Sequence, residues 1–108
     1  MEPLTKEKLE EVKTFAENLG FKVLISESGS CACFDTFLSN VNISVDYTTR
    51  VDYAPFPELK RIAEVKIYFN IDEDEKSDKI EYLSIDETTE FIKYMGYAVE
   101  IAERLKEA

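Results

Sequence analysis

Between positions 41 and 71 the chain alternates apolar and polar residues with a period of two. Val41, Ile43, Val45, Tyr47, Thr49, Val51 and Tyr53 take one set of positions, and Asn42, Ser44, Asp46, Thr48, Arg50 and Asp52 take the other. Ala63, Val65, Ile67, Phe69 and Ile71 repeat the device against Glu64, Lys66 and Asn70. Successive side chains of a strand point to opposite faces, so the pattern predicts two strands, each greasy on one side and polar on the other. Between them, residues 54–60 include Pro55 and Pro57. Proline lacks the amide hydrogen that a central strand donates, so this stretch reads as the turn of an antiparallel hairpin.

On both flanks the period becomes helical. Leu9, Val12, Phe15, Ala16 and Leu19 form one narrow stripe, which predicts a helix over 5–19 with Thr5 as N-cap and Glu7 at the positive end of its dipole. Gly20 is the expected terminator, with Phe21 folding back on the last turn. A strand follows over 21–26, then a turn at Ser28-Gly29-Ser30. Residues 31–38 fit either a second strand or a loop that carries Phe34 and Phe37 into the core. Residues 72–79 contain nothing apolar and read as a solvated tip, followed by a short strand over 80–83. Ser84-Ile85-Asp86-Glu87 has the form of a capping box, opening a helix that runs to about Glu107. The apolar arc of this helix spans roughly 220°, against the ~100° one surface contact requires. The first helix or a second copy of the chain would use the excess, with Tyr94, Tyr97 and Ile101 as the self-association residues.

These elements assemble into a single α+β domain over 1–108. It is a two-layer sandwich, an antiparallel sheet of four to five strands with an N-terminal and a C-terminal helix packed on one face. The other face is wet and carries Asp46, Asp52, Glu64, Lys66 and Tyr68 among its polar residues.

Charge changes what such a domain is expected to meet. The chain has 23 acids and 13 bases, a formal net charge of −10. Nucleic-acid binding needs a basic footprint, so direct contact with nucleic acid is disfavoured and a basic protein surface is favoured. No segment has the roughly 20 apolar residues of a membrane helix, and the N-terminus lacks the basic-then-apolar form of a secretory signal, so the expected location is cytoplasmic. Glu and Lys are abundant and Gln is absent, a composition that leans towards a thermophilic source.

Chemistry is thinly supported. There is no His, which removes the commonest acid–base group near neutral pH and every His-dependent triad. The three glycines do not form a phosphate loop. Cys31 and Cys33 share one side of a strand, but two thiols do not make a zinc site, and they read as reduced, small apolar residues. The acidic tip lacks the glycine and distal glutamate of a calcium loop. No cofactor is expected.

Glu64-x-Lys66 on one strand, with Asp52 a dozen residues earlier, resembles the metal site of the restriction-type PD-(D/E)xK nucleases. Leu-Gly-Phe-Lys-Val at 19–23 and Ser-Gly-Ser at 28–30 look like the opening of such resolvases. The resemblance implies a magnesium-dependent nuclease in which Asp52 and Glu64 bind the ion and Lys66 assists the attacking water. Against it, an acidic turn and a strand follow Glu64-x-Lys66 where that family has a helix.

The preferred expectation is therefore a non-enzymatic, acidic protein-binding module. In its specific form it is an inhibitor that imitates nucleic-acid charge, of the kind viruses and mobile elements encode. Its contact residues are Asp46, Asp52, Phe56, Tyr68, Asp72, Glu73, Asp74, Glu75 and Asp78, where Phe56 is an aromatic anchor between two stiff prolines. The alternatives are the nuclease and a homodimeric subunit joined through the C-terminal helix.

Overall fold

A computed structural model describes residues 6–38, 41–69 and 84–107. Helix α1 (Lys6–Asn18) leads into strands β1 (Lys22–Ile25), β2 (Cys31–Phe37), β3 (Val41–Asp52) and β4 (Glu58–Phe69), and helix α2 (Ile85–Glu107) closes the order. The strands form one antiparallel sheet in the order β1-β2-β3-β4, every neighbour adjacent in sequence. Residues 31–38 thus resolve in favour of a strand. The expected N-cap Thr5, the acidic tip and the short strand over 80–83 lie outside the described residues.

Local chemistry sets the helix ends. The amides of Gly20 and Phe21 donate to the carbonyls of Glu17 and Ala16, each at 3.0 Å, which satisfies two of the orphan carbonyls at the end of α1. This turn needs a left-handed residue, and Gly20 has φ of 97°. Phe21 then lies buried, its ring against Tyr94 of α2. At the start of α2, the Ser84 amide donates to Glu87 Oε1 at 3.2 Å and the Glu87 amide donates to Ser84 Oγ at 3.1 Å, the reciprocal capping box the sequence predicts.

Both helices cover one face of the sheet. The core gathers Leu9, Val12 and Ala16 from α1 and Ala98, Ile101 and Leu105 from α2 over Phe34, Ile43, Val45 and Tyr47 of the sheet. Arg104 stacks on the Phe15 ring at 3.8 Å from its centroid, joining the two helices where both are partly wet. The hairpin differs from expectation at its turn. Strand β4 begins at Glu58 instead of 61, opposite Asp52, so the connection shortens to residues 53–57 and both prolines stay outside the ladder. The hairpin also outruns the helices. Its far end is exposed, with Tyr53 and Phe56 at 76% and 77% accessibility.

Candidate partner-binding surface

The outer face of the sheet is built by register. Leu24, Cys33, Asp46 and Glu64 lie in one row across β1 to β4, and Lys22, Asp35, Ser44 and Lys66 lie in the next. Opposite charges brought within reach in this way form pairs. Lys66 Nζ is 2.7 Å from Asp46 Oδ2. Ser44 donates to Asp46 Oδ1 at 3.2 Å, and Cys33 donates to Asp35 Oδ2 at 3.2 Å while its sulfur lies 3.5 Å from Ser44 Oγ. Ser44 is only 4% exposed, although it is on the wet side, because its neighbours close over it.

The titration behaviour follows from these contacts. The Lys66 ammonium holds the Asp46 carboxyl below its usual range, against the opposing effect of burial. Asp46 in turn raises Lys66. Burial pushes the Cys33 thiol up to about 11, with the Asp35 and Asp46 carboxylates adding to it and the Ser44 hydroxyl opposing it. At the far end of the hairpin, Asp52 sits 3.0 Å from Lys60 and 3.0 Å from Arg50, and Lys60 first, then Arg50, lowers its carboxyl. The outer face therefore carries five acids, Asp35, Asp46, Asp52, Glu58 and Glu64, against four bases, Lys22, Arg50, Lys60 and Lys66. It is close to charge-balanced.

That arrangement corrects the nuclease expectation. Asp52 lies opposite Glu58, and Glu64 lies opposite Asp46, six residues further along. At the rise of a strand this separates Asp52 from Glu64 by roughly 20 Å, far outside shared coordination of one ion. Lys66 is held by Asp46 instead of standing beside a metal-bound water. Among the described residues no group of three or more His, Cys, Asp or Glu side chains is placed to hold a metal.

The expected contact residues fall in three places. Asp46, Asp52 and Tyr68 are on the outer face, where Tyr68 is half exposed. Phe56 projects from the hairpin turn. Asp72, Glu73, Asp74, Glu75 and Asp78 lie outside the described residues. The self-association residues are corrected. Ile101 is fully buried in the core, and the Tyr94 ring packs edge-on against Tyr97 and tilted against Phe21, so this margin of α2 is used within the chain. The accessible apolar margin is the opposite one, Ile85, Ile92 and Val99, seven residues apart and exposed at 85%, 64% and 45%.

Two apolar features of the wet face escape the sequence pattern. Leu24 and Phe37 are 72% and 70% exposed there. A shallow groove of about 610 Å³ runs beside Leu24, between Cys31, Cys33, Ile62 and Lys66. Lys22-Val23-Leu24-Ile25 carries three apolar residues in succession, so its parity is not readable until β2 fixes the register.

Fold and surface together define a small α+β sandwich with one helical face and one open sheet face. No family model, curated protein or solved structure matches the chain. No helix among the described residues is long and apolar enough to cross a membrane.

Proposed function

We propose that this protein is an acidic, non-enzymatic binding module that docks its carboxylates on a basic protein surface, of the kind that otherwise holds nucleic acid. The observation that carries the reading is where the unbalanced charge lies. The outer sheet face holds five acids against four bases, with Asp46 and Asp52 in cross-strand ion pairs, whereas residues 72–87 hold eight acids against two bases. Paired carboxylates contribute little long-range field, so the steering charge belongs to the second set. Phe56, exposed at the hairpin turn, supplies a separate apolar anchor.

The test is affinity capture from source cells at low salt, with wild-type protein and with an Asp72→Asn, Asp74→Asn, Asp78→Asn triple variant. A basic protein retained by the wild type, lost on the triple variant, released by raised salt and displaced by duplex DNA is the expected result. Equal retention on both proteins, or retention indifferent to salt and DNA, overturns the reading.

A further inference from the structure

The shallow groove on the outer sheet face has no part in the reading above. It crosses the strands between the row that ends in Leu24 and Glu64 and the next row, Cys31, Thr48 and Ile62. Its lining is uneven. Leu24 and Ile62 are its large apolar side chains, and Cys31 and Cys33 line it between them as small apolar ones. Cys33 stays a neutral thiol near pH 7, so this part of the groove carries no charge.

Charge at one end of the groove is the second observation. The register sets Asp46 and Glu64 directly across from each other, a position in which like charges repel. Lys66, at 2.7 Å, relieves Asp46, whereas Glu64 holds no ion pair among the described residues. One negative charge is left over, at the β4 end of an apolar groove. A bare divalent ion requires several oxygen ligands and is poorly served there. A cation carried on an apolar stem matches both parts of the lining.

We infer that the groove seats an arginine side chain of the basic partner, with its aliphatic stem between Leu24, Cys33 and Ile62 and its guanidinium on Glu64. Cys33 and Glu64 lie two strand spacings apart, about 10 Å, which an arginine extended from above β2 covers. A guanidinium suits the site better than an ammonium. It is planar and weakly hydrated, and it meets a carboxylate through two parallel hydrogen bonds while its faces lie on apolar surface. The inference rests on the proposed reading of the partner as a basic protein and names the side chain that protein offers. The surface itself is separate from the acidic segment, and it acts at close range where that segment acts at a distance.

The experiment is a titration of the full, isotope-labelled chain with a capped peptide holding one arginine, followed by the amide resonances. It is run at about 0.15 M salt, where charges further apart than roughly 8 Å are screened. Saturable shifts centred on Cys31, Cys33, Ile62 and Glu64 are expected, and the same peptide with lysine binds more weakly. Glu64→Gln lowers the affinity roughly threefold or more, and Leu24→Ser lowers it by a similar factor. Glu58→Gln, an acid on the same face but outside the groove, leaves it unchanged. Shifts that miss the groove, an affinity indifferent to both Glu64→Gln and Leu24→Ser, or an equal loss with Glu58→Gln overturns the inference, even if a basic protein is captured through the acidic segment. Seating of the peptide in the groove without capture of any basic protein supports the arginine site and counts against the proposed function alone.

Discussion

The two halves of the β3–β4 hairpin obey one alternation and meet opposite fates. From Val41 to Tyr47 the apolar positions are at most 1% exposed, sealed under α1 and α2. From Val51 onward the same parity yields Val51 at 40% and Tyr53 at 76% exposure. Nothing in the local sequence distinguishes the halves. The difference is the length of the cover: two helices shield the first half and do not reach the second. Period-two patterning thus says which residues share a side, while burial depends on what the rest of the chain can lay over them.

Substitutions at matched positions sharpen this contrast most. Ile43→Ala removes a fully buried side chain and is expected to lower unfolding free energy by about 2–4 kcal/mol, read from urea denaturation. Val51→Ala, on the same face of the same strand, is expected to change it by less than about 0.5 kcal/mol in the isolated monomer. Equal effects at the two sites would show that the outer half is covered after all.

The next largest effect separates the two cysteines. Cys31 is exposed, whereas Cys33 is half-buried and its thiol is pushed up to about 11 from an ordinary 9.0. Near neutral pH it holds roughly a hundredfold less thiolate than an unperturbed thiol, so alkylation is expected to stop at one label per chain, on Cys31, as peptide mass mapping would reveal. Because the folded thiol is the harder to ionise, its contribution to stability is whole below pH 9 and is lost as pH rises towards 11. Replacing Cys33 with Ser removes that alkaline loss.

The smallest effect belongs to the ion pairs of the sheet. The folded Asp46 carboxyl is lowered by Lys66, so its stabilisation is present above the unfolded value near 4 and fades as pH falls through the lower folded value. Asp46→Asn is expected to melt slightly below the wild type near neutral pH, and the two melting curves converge in acid. The partly exposed pair, with side chains 36% and 43% accessible, limits the gap to a few degrees.

Much of the architecture was legible in the residues because each element carries more than one signal. The stripe of α1, its Gly20 terminator and the capping box at Ser84 point to boundaries that the hydrogen bonds confirm. The parity of β3 and β4 placed Asp46, Glu64 and Lys66 on one face correctly. Distance along that face was not legible in the same way. Shared parity made Asp52 look like a neighbour of Glu64, while the register sets it six positions away. The broad arc of α2 correctly signalled surplus apolar surface but not which margin would be spare. That depended on Phe21 meeting Tyr94, a contact between segments more than seventy residues apart.

The sharing of charge between the two layers has one more outcome. The helices carry ten acids against six bases, whereas the outer sheet face is nearly balanced. Among the described residues the helical layer is thus the more negative of the two, so a cation approaching that side meets the stronger attraction.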